Sequence, residues 1–334
     1  MRGVLTRLPI DRFIALLLAT VGVASLLPAR GIYAVVAGHA VTVAIALLFF
    51  LYGARLSPQA ALAGAGNVRL HALLFASTFM LFPALGLALR AFAPQMLTPA
   101  LWNGVILLCV LPSTVQSSIA FTSIARGNVP AALCAATLSN LAGILLTPLL
   151  AGVLLSTGSG GISAGKVGDI VLQLLLPFVA GQVLRPWIGE WVARNRTLLN
   201  CVDRGSILLV VYTAFSEAMV TGIWQQLDAS MLLRLAAVNL SLLVAVLAST
   251  TLLSRWMGFE RADEIAIVFC GSKKSLASGL PMASVLFAAS SVGQIVLPLM
   301  LFHQLQLMVC AALARRYALV QSAPPRVGVR TAAA

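Results

Sequence analysis

Two adjacent lysines, Lys273 and Lys274, stand in the apolar stretch FCGSKKSLASGLPMASVLF (269–287), flanked by Gly271, Ser272, Ser275 and Ser278. The chain has only three lysines, the third being Lys166. An ammonium group in such a setting can donate to backbone carbonyls and hydroxyls in the place of a bound cation. It can also bind an anionic solute or exchange a proton, and a permanently paired structural role is the alternative. A second polar cluster, Pro112, Ser113, Thr114, Gln116, Ser117 and Ser118, interrupts the run LTPALWNGVILLCVLPSTVQSSIAFTSIARGN (97–128).

Other polar groups inside apolar runs are fewer. Glu217, in VVYTAFSEAMV, is the one acid well inside such a run, paired with a cation such as Lys273 or Lys274 or hydrogen-bonded as the neutral acid. His303, Gln304 and Gln306 form another polar patch, for which satisfied interhelical packing is the favoured account. Thr137, Ser139 and Asn140 are candidate cavity liners, and Asn128-Val129-Pro130 reads as a helix start. Five cysteines without C-x-x-C spacing favour packing over a disulfide framework or zinc. Nothing resembles a P-loop, a metal-binding H-E-x-x-H helix or a nucleophile elbow, so no catalytic residue is assigned and an enzyme is not expected.

The elements that must position these groups follow from composition. The 334 residues are 60% hydrophobic and 9% charged, against roughly 25% charged in soluble domains. Mean hydropathy is +1.00. Ten apolar runs long enough to cross a bilayer lie near 12–28, 33–53, 70–91, 97–124, 129–155, 167–187, 206–224, 231–253, 263–288 and 293–314. Short loops join them, so the expectation is an all-α polytopic membrane protein with a single transmembrane domain over 1–334. The first run follows a basic leader, but no convincing small-x-small cleavage site follows it, so it reads as a span rather than a signal peptide.

The net charge of +13 does not indicate nucleic acid, because the charges are sorted by connection. Sixteen of the 22 Lys and Arg fall on one side, with Arg30, Arg90, Lys166 and Arg234 on the other and Lys273 and Lys274 within a span. The positive-inside rule then places both termini, and a tail over 315–334, in the cytoplasm, as for a bacterial inner-membrane protein.

Ten spans divide into five and five, and an odd number per half inverts the second half relative to the first. That is a 5+5 inverted repeat, about 12–155 and about 167–314, with matching broken helices expected at the solute site. The fourth and ninth spans are the broken pair. Ser117 lies nine residues before Arg126 and Lys273 ten after Asp263. Both clusters therefore lie about 14–15 Å deep, near the centre of a core roughly 30 Å thick. Adjacent helical side chains diverge by about 100°, so both lysines serve one pocket only if the helix is unwound there.

The string Gly271-Ser272-Lys273-Lys274-Ser275-Leu276-Ala277-Ser278-Gly279, with Ala125-Arg126-Gly127-Asn128, resembles the bile acid:sodium symporter family in its bacterial, divergent branch (solute carrier family 10-like). The resemblance implies a core domain in which the broken fourth and ninth helices cross, a flatter panel domain, and alternating access between them. It implies two sodium ions behind the crossing. Ser118 matches a sodium-ligating serine, but Ile119, Ala132, Ala136, Ser272 and Leu276 stand where the family has other ligands. Most side-chain ligands for sodium are thus absent, and the fold carries over better than the ion.

The resulting expectation is a secondary active transporter of a small organic, anionic solute. Gln116, Ser117, Ser118, Ser272, Lys273, Lys274, Ser275 and Ser278 form its site, and Glu217, His303, Thr137 and Asn140 are further candidates. A proton-coupled or ion-independent carrier, with a lysine replacing sodium, is the alternative within transport. A non-transporting membrane regulatory protein is the alternative outside it. The expected partners are the lipid bilayer and the small organic solute, with no nucleic acid and no oligomeric state assigned.

Overall fold

A computed structural model of the chain describes residues 12–55, 67–155, 164–220, 222 and 228–322. Arg2, Arg7 and the basic leader, and Arg326 and Arg330 of the expected tail, lie outside the described residues. The helices are α1 Arg12–Leu26, α2 Ile32–Arg55, α3 Val68–Phe92, α4 Pro99–Val110, α5 Gln116–Ile124, α6 Val129–Leu155, α7 Ala164–Arg194, α8 Arg196–Val220, α9 Ala229–Trp256, α10 Arg261–Gly271, α11 Leu276–Leu286 and α12 Ala289–Ser322. No strand occurs among the described residues. The expected tail at 315–334 begins as helix, because α12 continues through Arg315 and Arg316 to Ser322.

Six of these helices are long and apolar enough to cross a membrane: α2, α3, α6 and α9, with the Thr197–Val220 part of α8 and the Ala289–Val320 part of α12. The segments 97–124 and 263–288 are each interrupted instead. Their pieces hold 12, 9, 11 and 11 residues, and even 12 residues extend only about 18 Å against a core of roughly 30 Å. Three of these pieces, α4, α10 and α11, lie inside the molecule, while α5 exposes Gln116, Ala120, Ser123 and Ile124. Gly104 to Leu111 and Glu264 to Gly271 are buried without a break. A helix apolar on every face belongs in such a position, since it has no lipid-facing side to distinguish.

The outer helices carry the lipid-facing surface, including Leu18, Tyr33, Val43, Leu172, Val183 and Leu233. Two close approaches fix α2 against α7. A Cβ on Gly53 would strike the Phe178 carbonyl, and one on Gly181 would strike the Phe50 carbonyl. Small residues let membrane helices pack backbone to backbone in this manner. At the start of α9, Asp228 accepts from Met231 N at 2.7 Å and from the Ser230 hydroxyl, which holds its carboxyl below the usual carboxylate range.

Local breaks have local causes. Proline disfavours helical conformation in the residue before it and has no N–H of its own. Leu111, before Pro112, is extended at φ −70°, ψ 154°, and α5 resumes only at Gln116. In the second segment, residues 272–275 leave the helix, and Ser275 caps α11 by accepting from Ser278 N at 3.2 Å. A π-turn at Ser77–Leu81 interrupts α3.

Candidate functional site

The interruption at 111–115 frees the carbonyls at the end of α4, which need partners because no water is available in the hydrocarbon core. Each partner comes from elsewhere in the fold. Cys109 O and Leu111 O both accept from Lys274 Nζ at 2.7 Å, and Val110 O accepts from Thr147 Oγ1 at 2.8 Å. Pro112 O accepts from Ser275 N at 2.9 Å, and Ser113 O accepts from Asn140 Nδ2 at 2.7 Å. Ser113 N donates to Ser139 Oγ at 3.0 Å.

The second interruption is served in return by the first. Cys270 O accepts from Ser113 Oγ at 2.6 Å and Phe269 O from Ser118 Oγ at 3.3 Å. Gln306, fully buried on α12, clasps the Lys274 backbone at two points. Its Oε1 accepts from Lys274 N at 2.9 Å, and its Nε2 donates to Lys274 O at 3.0 Å. The same Nε2 lies 2.9 Å from His303 Nδ1.

The two lysines diverge. Lys274 is fully buried, and its third donor reaches Thr78 O on α3 at 2.8 Å. An ammonium has three N–H groups, so Lys274 has an acceptor for every one. It also stands over the Phe82 ring at 4.1 Å. Thr78 O is free for a stated reason. Phe82 N donates to Ser77 O across the π-turn, and the next residue, Pro83, has no N–H to offer Thr78. Lys273 points the other way. It donates to Ser117 O at 2.8 Å and lies over Phe121 at 3.8 Å, with the Phe269 ring at 5.5 Å. Its remaining N–H groups meet aromatic faces rather than oxygens.

The other expected residues are placed as follows. Ser117 Oγ donates to Thr114 Oγ1 at 3.2 Å, and Gln116 is exposed at the start of α5. Ser275 Oγ and Ser278 Oγ lie 3.1 Å apart, and Ser278 Oγ donates to Asn140 Oδ1 at 3.1 Å. Asn140 thus joins α6 to both interruptions. Thr137, three residues earlier, turns its hydroxyl back to Leu133 O at 2.8 Å on its own helix, and Ser272 does the same to Val268 O at 2.6 Å. Glu217 is partly buried on α8, while the hydrogen bonds of both ammonium groups go to carbonyls rather than to its carboxylate.

Sequence reasoning missed Thr78, whose backbone rather than side chain takes part. It placed Gln306 in a polar patch but not among the site residues, and the one available signal for Thr78 is Pro83 inside an apolar run. A second anchor lies at the Arg126 end. Asn128 caps α6 through Ala131 N at 3.0 Å and donates to Asp263 Oδ1 at 2.7 Å, while its N–H reaches Ala262 O at 2.9 Å. Arg126 holds the left-handed φ of 57° that this tight connection needs. Next to it, Glu264 Oε1 receives Arg255, Arg261 and the Tyr317 hydroxyl.

Comparison with known proteins finds relatives over most of the chain. Uncharacterized protein PA2026 of Pseudomonas aeruginosa is 58% identical over 309 residues, spanning 92% of this chain and 93% of its own. YfeH of Escherichia coli, named as a candidate symporter, is 53% identical over 308 residues, spanning 92% and 93%. Sodium/bile acid cotransporter 7 of Mus musculus is 26% identical over 308 residues, spanning 90% of each. The SBF-like CPA transporter family is matched over residues 11–319, and the chain belongs to that family of multi-pass membrane transporters.

Proposed function

We propose that the chain is a secondary transporter of a small organic anion, with alternating access at a crossing of its two interrupted segments. Taking 97–124 and 263–288 as one span each gives ten spans, a 5+5 inverted repeat within a single domain over 1–334, and both termini in the cytoplasm of a bacterial inner membrane. The observation that carries this reading is the reciprocal hydrogen bonding of the two interruptions around a pair of buried ammonium groups. Discontinuous helices meeting in the membrane interior are where inverted-repeat carriers hold their solutes. The names of the relatives, candidate symporter and sodium/bile acid cotransporter, support transport as the class.

One observation favours a lysine in place of sodium. Sodium needs several oxygen ligands. Ile119, Ala132, Ala136 and Leu276 offer no side-chain oxygen, the Ser272 hydroxyl is turned back on its own helix, and Lys274 holds three carbonyls that a cation would otherwise take. The carrier is therefore independent of sodium. The test is counterflow of labelled organic anions, bile acids among them, in sealed proteoliposomes. The expected result is exchange that persists when choline replaces sodium. Absence of exchange for every anion would favour a non-transporting membrane protein, and strict sodium dependence would overturn the lysine reading alone.

A further inference from the structure

Gln306 is not free to choose which way its amide faces. Lys274 N can only donate and Lys274 O can only accept, so Oε1 lies 2.9 Å from the first and Nε2 3.0 Å from the second. Both backbone groups sit in the unwound stretch 272–275, outside α10 and α11, and one fully buried amide serves both. The remaining N–H of Nε2 serves His303 Nδ1, one turn earlier on α12, at 2.9 Å. That ring nitrogen must therefore accept, and a neutral His303 carries its proton on Nε2.

A proton added to Nδ1 would set two donors face to face across that distance. Turning the Gln306 amide over would give the new proton an acceptor. It would also set oxygen against Lys274 O and N–H against Lys274 N, giving up both backbone bonds. An imidazolium at position 303 and the intact clasp therefore exclude each other. The clasped residue is central to the crossing. Lys274 Nζ holds the carbonyls of Thr78, Cys109 and Leu111, and the next residue, Ser275, donates its N–H to Pro112 O. Freeing the Lys274 backbone loosens all four contacts.

His303 is partly exposed, so a proton can reach it. On the helical wheel it falls between Gln306, turned to the crossing, and Gly293, whose face meets Ala214 and Ala218 of α8. The elements packed against α12 are α4, α5, α8, α9 and α11. Of these, α5 and α11 carry no titratable group, and α9 carries Arg234 and Arg255 towards its ends. On α4 there is Cys109, and on the spanning part of α8 there are Cys201, Asp203, Arg204, Tyr212 and Glu217, with Asp203 engaged by Arg55. Lys273 and Lys274 end on carbonyls, and Cys310 follows on α12 itself. Imidazole is the one side chain that ordinarily changes charge between about pH 5 and about pH 8. We propose that His303 is a proton-binding site that controls the crossing through Gln306: the neutral ring holds the clasp, and protonation at Nδ1 releases it and stops solute exchange. The effect on exchange rests on the carrier reading, whereas the proton site and the clasp do not.

Nitrogen NMR of the purified full chain with isotope-labelled histidine reads the ring directly. The chain has three histidines, so His39→Gln and His71→Gln assign the His303 signals by elimination. At about pH 8 its Nδ1 should be unprotonated and its Nε2 protonated, and the opposite tautomer would overturn the proposal. Thermal unfolding in detergent comes second. The bond to neutral Nδ1 contributes at high pH and is lost as pH falls through the imidazole range. His303→Asn puts an acceptor oxygen where Nδ1 stood and takes up no proton there. It should match the unaltered protein at about pH 8 and outlast it at about pH 5. Counterflow of an exchanged anion should fall about tenfold in the unaltered protein over the same acidification, the scale of one buried hydrogen bond left unmade, and stay level in His303→Asn. Equal pH responses of the two proteins, in unfolding or in exchange, would overturn the proposal. The ring measurement needs no variant at 303, so a folding defect in His303→Asn does not shield it. No exchange by either protein at any pH, with the tautomer and unfolding as expected, would overturn the carrier reading and support the proton site.

Discussion

Replacing Lys274 with methionine keeps the length of the side chain and removes its three donors, leaving the carbonyls of Thr78, Cys109 and Leu111 without a partner. Each buried group so stranded costs about 1–3 kcal/mol, or about 3–9 kcal/mol together. That is comparable with the whole margin of a folded domain, about 5–15 kcal/mol. Lys273→Met strands one carbonyl, that of Ser117, for about 1–3 kcal/mol, and forfeits a ring contact worth about 0.5–2 kcal/mol. Lys274→Met should therefore unfold at a much lower temperature than Lys273→Met, while the latter inserts and folds but loses solute exchange. Heating in detergent with a thiol-reactive dye reports this directly, since Cys109, Cys134, Cys270 and Cys310 are buried. A third variant isolates the α3 contribution. Pro83→Ala restores an N–H that can reach Thr78 O across the π-turn, so it should return about 1–3 kcal/mol to Lys274→Met. Lys274→Met as stable as Lys273→Met, with no gain from Pro83→Ala, would refute the reasoning.

Two further outcomes are expected. Asn140→Ala leaves Ser113 O and the Ser278 hydroxyl short of partners and should lower stability by about 1–3 kcal/mol, whereas Thr137→Ala, whose hydroxyl serves only its own helix, should cost much less in the same unfolding assay. A cysteine at exposed Gln116 should react with a small aqueous thiol reagent in the resting protein, while one at Ser275, which is 5% exposed, should react only when solute or an opposing gradient changes the state; equal reactivity at both positions would count against a closed crossing.

The broken segments were legible because breaking a membrane helix needs particular residues. Pro112 and the serines after it, and Gly271 ahead of the lysines, announce where the backbone must find other partners. The helical rise alone predicted that the two would meet, and hydrogen bonds join them. What each side chain touches was not legible. Lys273 and Lys274 are neighbours in sequence, and an unwound backbone at 272–275 sends one to α5 and the other to α3 and α4, a choice that no spacing rule contains. Thr137 and Asn140 share a helix and a polar character, yet the threonine hydroxyl bonds back to its own helix while the longer amide crosses to both interruptions. The Thr78 carbonyl was hidden because a backbone atom has no letter in the sequence. Only a π-turn beside a proline exposes it.

The direction of the hydrogen bonds constrains any motion that moves solute. Cys109, Leu111, Pro112 and Ser117 in the first segment, and Phe269 and Cys270 in the second, all accept at their carbonyls from the other segment. Drawing the two segments apart would strand six carbonyls where water is scarce, at about 1–3 kcal/mol each even by the scale of soluble proteins. The sum reaches the full stability of a folded domain, so separation is too costly to recur in every cycle. On the carrier reading, the interrupted segments therefore travel as one rigid body with α3, α6 and α12, which supply Thr78, Asn140 and Gln306. The α2–α7 pair is joined to itself through Gly53 and Gly181, so its sliding against that body breaks none of these bonds. Access then changes at the apolar boundary between the two units, where repacking side chains costs little, and the polar crossing is carried through the cycle intact.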